Sequence, residues 1–228
     1  MSTSRERASA DQGPLPVGGR PTRTAPTIAA VDLVAALRED QVHADNIARA
    51  LAWLTERLDA AGIPFALIGG LALRHYGHVR YTEDIDILTT PDGLDRIHSE
   101  LVGLGLTPRF RGARKWLRHA ADRVNIDVIV AGEPAGAVGG PVVFPDPRSD
   151  EFVEEGGLRI PKLPTLVSFK LASGIFGSRT QDIADVEALI RINALDESFA
   201  SQLPEPLRAA FVEAVERTHR ARRARPEE

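Results

Sequence analysis

The chain has 228 residues, 43% of them hydrophobic and 26% charged, with a formal net charge of -4. That length and balance suit one buried domain or a domain with a helical appendage, and a pI near 5.9 argues against a wholesale nucleic-acid binder while leaving room for local basic surfaces. The absence of cysteine excludes disulfides and thiolate zinc sites. No apolar run nears the roughly 18 residues of a membrane helix, and the N-terminus lacks a signal peptide's apolar stretch, so a cytoplasmic protein with no membrane partner is expected.

Residues 1–27, rich in Ser, Thr, Arg, Pro and Gly, have the composition of a disordered leader. The pattern turns helical over 27–38 and again over 42–61, where Ile47, Leu51, Leu54 and Leu58 recur at spacings of four, three and four. Gly62 is placed to end the second helix, and Ile63-Pro64 leads into a short buried strand over 65–68. After Gly69-Gly70, residues 71–76 suit a short helix, 84–88 a strand, and Pro91 opens a helix striped by Leu94, Ile97, Leu101 and Leu104. The alternation over 107–131 fits two or three strands, the strongest over 124–130. A Gly, Pro and acid-rich stretch over 132–157 reads as loop with a short strand at 142–144. Three helices follow, over 163–176, 182–190 and 204–223. The outline is an α+β fold, a small mixed sheet flanked by helices with a helical C-terminal portion.

The strand DIDIL carries the chemistry. Side chains on a strand alternate faces, so Asp84 and Asp86 project together while Ile85 and Ile87 turn to the core. Two adjacent carboxylates repel and cost stability unless a cation compensates. Magnesium takes oxygen ligands and keeps open positions for substrate phosphates, so the pair is a candidate metal site. Gly69-Gly70 lets a backbone approach a phosphate at a helix start, although an ordinary strand-to-helix turn is the better account of a Gly-Gly taken alone. Thirteen residues separate Gly70 from Asp84, enough to return the turn beside the acidic strand end, and Asp127 can join as a third carboxylate from a neighbouring strand.

The order of small-residue turn, spacer, Asp-hydrophobic-Asp and a later hydrophobic-Asp-hydrophobic resembles the nucleotidyltransferase superfamily of the DNA polymerase beta type. Within it, GGLALRHYGHVRYTEDIDIL is similar to the AbiEii-like nucleotidyltransferases, which include toxins of abortive-infection systems and the related MenT-type toxins. The block LPTLVSFKLASGIFGSRTQDIADVEALI adds a helical Lys followed by an Arg and two Asp residues, with Gln181 where a basic residue is common.

The resemblance implies a polymerase-beta-like fold, with 28–145 as the catalytic domain and 146–228 as a helical portion completing the cleft. It implies that Asp84, Asp86 and Asp127 bind magnesium, that Gly69 and Gly70 hold the triphosphate of an NTP, and that Lys170 is the phosphate-binding cation. Arg80 and Thr82 would steady the loop or touch phosphate. Arg179, Asp182 and Asp185 would support them, an ordinary helix-surface salt bridge being the bland alternative. On this reading Asp86→Ala leaves the fold intact while abolishing transfer, and Lys170→Ala weakens nucleotide binding more than stability.

The implied activity is transfer of an NMP from NTP to an acceptor hydroxyl, the acceptor being RNA, notably a tRNA end, or a protein, with an antitoxin protein as partner. A small-molecule acceptor of aminoglycoside type is a second reading, and a non-catalytic nucleotide-binding module a third. Arg109, Arg111, Arg114, Lys115 and Arg118 cluster around Trp116, a composition that suits an RNA backbone, with a solvated strand face as the simpler account. His75, His78, His98, His119 and His219 show no zinc spacing and receive no metal role.

Overall fold

A computed structural model of the chain describes residues 30–223, so the expected leader over 1–27 lies outside the described residues. Backbone contacts divide the chain into Met1–Arg38 and Glu39–Glu228; the sheet, its helices and the site below belong to the second unit.

In place of the two helices expected before the sheet, one helix, α1, runs Ala30–Ala60. Glu39, Asp40 and Gln41 include neither Gly nor Pro, so nothing in the local chain breaks it. It ends at Gly62, whose φ of 61° permits the left-handed turn in which the Ile63 N–H donates to the Leu58 carbonyl. Strand β1 (Phe65–Ile68) then passes directly into α2 (Gly69–His75). Next come β2 (Asp84–Thr89), α3 (Pro91–Glu100), β3 (Leu106–Pro108), β4 (Trp116–His119) and β5 (Asn125–Val130). Thr90 caps α3 by accepting from the Gly93 N–H, with Pro91 in the first turn.

The main sheet has the order β1-β2-β5-β4-β3, with β2 and β5 parallel and the other neighbours antiparallel. Its two faces are sorted residue by residue. Ile85, Ile87, Ile126, Val128 and Leu117 point into one cluster with Leu54, Leu58 and Ile97 of α1 and α3. The intervening residues face the other way, where Ile68, Leu88 and Ile129 pack with the C-terminal helices.

Two expectations fail between the sheet and those helices. Residues 142–144 make only an isolated bridge, Pro134 to Val143, and the supposed loop contains the start of a hairpin, β6 (Phe152–Glu155) with β7 (Leu158–Pro161). Gly156 and Gly157, at φ 59° and 81°, form a two-residue turn whose twist matches that of the flanking strands. Helices α4 (Leu163–Phe176), α5 (Thr180–Ile192) and α6 (Glu205–Arg223) complete the fold, with a 3-10 turn over Glu197–Gln202 before the last. No helix among the described residues is long and apolar enough to cross a membrane.

Candidate active site

Asp86 of β2 pairs in register with Asp127 of β5, and Asp84 lies two residues back on the same face. Oxygen atoms of all three lie within 4.8 Å of one another. The Thr82 hydroxyl donates to Asp84 Oδ1 at 3.1 Å, fixing one carboxylate. The loop bearing Thr82 is held in turn from α1, where His43 Nε2 meets the Thr82 carbonyl at 3.1 Å and the His43 ring stacks on Tyr81.

The Gly-Gly step has a steric reason within the protein itself. Gly69 sits at φ 66°, and a Cβ built there would stand 1.8 Å from Asp86 Oδ2. At Gly70 a Cβ would stand 2.8 Å from Thr82 Oγ1. Both glycines therefore make room for the acid row and its supporting loop.

The charges of this row are poorly matched. Burial, and then the neighbouring Asp84 and Asp127 carboxylates, push Asp86 up to about 7. Burial and Asp84 also raise Asp127, against the pull of Arg109, whose Nη1 lies 3.2 Å from Asp127 Oδ1. A cluster of three oxygen donors in which Asp86 and Asp127 have raised proton affinity is a fit for a hard divalent cation, which would replace the proton on Asp86.

Across a cavity of about 410 Å³, lined by Gly69, Arg80, the acid row, Lys170 and Arg179, stands a set of charges of the opposite kind. Lys170 Nζ on α4 lies 2.6 Å from Asp182 Oδ1 and 2.9 Å from Asp185 Oδ2 on α5. Asp182 and Asp185 are 2% and 0% exposed, so these are buried pairs, and the helix-surface alternative does not describe them. Asp185 also meets His78 Nε2 and Arg80 Nε, each at 3.2 Å, and accepts from Gln181 Nε2 at 3.1 Å. Burial alone would raise its carboxyl, but Lys170, Gln181 and Arg80 together outweigh that and hold it below the ordinary carboxylate range.

The family described as "Nucleotidyl transferase AbiEii toxin, Type IV TA system" matches residues 53–228. The chain belongs to the AbiEii family. No curated protein matches it. Among solved structures, a provisionally named nucleotidyltransferase from H. pylori is 14% identical, with 83% of this chain and 99% of that one covered at a TM-score of 0.46. JHP933 from Helicobacter pylori is 16% identical over 69% of this chain and 72% of that one, with a TM-score of 0.42. ANT(2")-Ia in complex with adenylyl-2"-tobramycin is also 16% identical, over 68% and 91%, with a TM-score of 0.44. Membership rests on the family match, and it makes this protein a nucleotidyltransferase.

Most residues singled out in this AbiEii-family sequence come together around the one cavity: Gly69, Arg80, Thr82, Asp84, Asp86, Asp127, Lys170, Arg179 and Asp182 line it. Asp185 lies just behind, buried under Lys170, and Gly70 lies beneath Thr82 and Arg80. Sequence reasoning missed His43, His78 and the role of Arg109. Their partners Thr82, Asp185 and Asp127 lie 39, 107 and 18 residues away along the chain, so no local pattern announces them. The packing also revises the expectation for Lys170→Ala, because removing the lysine strands two buried carboxylates.

Proposed function

We propose that this protein transfers an NMP from a magnesium-bound NTP to an acceptor hydroxyl, as the toxin half of a toxin-antitoxin pair. The single observation that supports it most is the row Asp84, Asp86 and Asp127, three oxygen donors left under-compensated in a cavity that Arg80, Lys170 and Arg179 also line. When bound, magnesium would supply charge neutralisation at the phosphates and at the entering and leaving oxygens. Asp84 and Asp86 would hold it, with Asp127 completing the set.

The residues of the chain divide the remaining work. Arg179, 70% exposed at the cavity wall, brings positive charge to the triphosphate side, and Lys170, held by Asp182 and Asp185, lines the same wall. Gly69 keeps that approach free of side chain. The acceptor oxygen forms a bond to the alpha-phosphorus as the bond to pyrophosphate breaks in line, and the acceptor's proton passes to Asp127 or to water. In this reading the acceptor is a macromolecule, an RNA such as a tRNA end or a protein hydroxyl. A polycationic aminoglycoside would meet Arg80, Arg109 and Arg179 around the acids, which disfavours it.

The test is incubation of the protein with each labelled NTP, magnesium and total RNA beside an Asp84→Ala/Asp86→Ala control. Label on RNA or protein that vanishes in the control is the expected result. Equal label in both would overturn the reading.

A further inference from the structure

The acid row does not end at Asp127. Across the next strand pair Trp116 of β4 stands directly opposite Asp127, so its side chain projects from the same face as the acids, while Leu117 turns into the core. Here the sheet carries exposed aromatic surface: Trp116 is 46% and Phe110 57% exposed, with ring centroids 5.7 Å apart and planes inclined by 32°. A tryptophan and a phenylalanine left half in water beside a charged cluster gain nothing for the core.

Guanidinium groups surround the pair. Arg109 leads from β3 to the exposed Phe110 and reaches Asp127, and Arg118 stands on the Trp116 face, donating to Asn125 Oδ1 at 3.2 Å. Asn125 is a neutral partner, so the charge of Arg118 is not cancelled there. Arg111 is exposed beside Phe110. Arg114 and Lys115 pair with Asp95 and Glu133, and so contribute less.

Resting on the transfer reading above, we propose that the β3–β4 face is the acceptor platform. It takes a single-stranded RNA end whose terminal bases stack on Trp116 and Phe110, while Arg111 and Arg118 meet its phosphates. The direction of attack supports the assignment. The triphosphate side of the cavity lies toward Gly69, Lys170 and Arg179, so an in-line nucleophile enters from the other side of the acids, which is β4. Thr107 and Asn125, in the adjoining cross-strand row with Arg118, offer polar side chains at the level of a ribose 2′-hydroxyl. Stacking tolerates any base, so the platform selects an unpaired end rather than a sequence.

Binding of a fluorescein-labelled single-stranded RNA of about 12 nucleotides to the full chain, followed by anisotropy, tests this without requiring turnover. Trp116→Ala is expected to weaken binding about tenfold or more, Trp116→Phe to retain most of it, and Arg111→Ala to lower the slope against log salt by about 0.7. Magnesium-NTP binding, measured separately by calorimetry, should change by less than about twofold. Phe110→Ser, at a mostly exposed position, serves as the second variant and should weaken RNA binding in the same direction. RNA binding that is absent in the wild type or unchanged in both aromatic variants would overturn the platform, as would equal binding of the matching DNA. So would label passed to a protein at the same rate by wild type and Trp116→Ala, an outcome that leaves nucleotide transfer itself standing. Failure of magnesium-NTP binding in the wild type would instead break the transfer reading.

Discussion

Two groups of carboxylates face each other across one cavity, and they are built to opposite rules. Asp182 and Asp185 are fully buried and matched, with Lys170 between them and Arg80, His78 and Gln181 completing Asp185. Asp84, Asp86 and Asp127 are only partly buried, yet they face mostly one another, and Arg109 makes the one ion pair among the described residues that reaches them. The first group spends its charge on holding α4 to α5. The second is left short of counter-charge. Buried ionic networks are punished when one partner is removed, whereas a like-charged cluster is relieved by the same operation, so substitutions in the two groups should act with opposite sign on stability.

The largest expected effect is on turnover. Asp86→Asn should reduce transfer by about a thousandfold or more while leaving the metal-free protein at least as resistant to urea as the wild type. A stability loss in that variant would break the comparison at its acidic end. Lys170→Ala should do the reverse in urea denaturation, costing about 3–5 kcal/mol because Asp182 and Asp185 lose their counter-charge in a buried place. Lys170→Arg should recover part of that loss, and an unaltered denaturation midpoint in Lys170→Ala would show that the network carries no stability.

Smaller effects sharpen the geometry. Gly69→Ala must accommodate both a positive φ and a methyl group on top of Asp86 Oδ2. It should cost about 1–3 kcal/mol and lower activity, whereas Gly62→Ala, at φ +61° with nothing near its Cβ, should cost about 1 kcal/mol and leave activity alone. Similar activity in the two variants would remove the steric link between the turn and the acid row. The weakest handle is pH. Between the ordinary carboxylate range and about 7 the folded protein keeps a proton on Asp86 that the unfolded chain releases, so this group makes the metal-free protein less stable as pH rises through that window. Asp185, held below its ordinary range, contributes stability above that range that is lost only as pH falls through it. Melting temperatures of wild type and Asp86→Asn across this window should therefore diverge, with the wild type falling more steeply.

How far the sequence could be read follows from the same physics. Period-two alternation in DIDIL and NIDVIV told both which face is acidic and which is core, because every residue of a half-buried strand must choose a side. The turn at Gly69-Gly70 was visible, although its reason, the Asp86 carboxylate above it, needed the fold. The β6–β7 hairpin was hidden by a composition argument. Gly and acidic residues over 132–157 read as loop, when Gly156-Gly157 between FVEE and LRIP is a two-residue hairpin signal. A run of charged residues without any helix breaker gives no physical reason to split α1. Arg109 over Asp127, and His78 under Asp185, were beyond reach because tertiary pairing alone brings them together.

The most direct test of the account is the melting temperature at neutral pH with and without magnesium and a non-hydrolysable NTP, in wild type and Asp86→Asn. The account predicts a clear rise on adding both to the wild type, and almost none in Asp86→Asn, whose metal-free melting point already equals or exceeds that of the wild type. Equal rises in the two proteins, or a metal-free Asp86→Asn that melts well below the wild type, would contradict the claim that this acid row is held in readiness for a divalent cation.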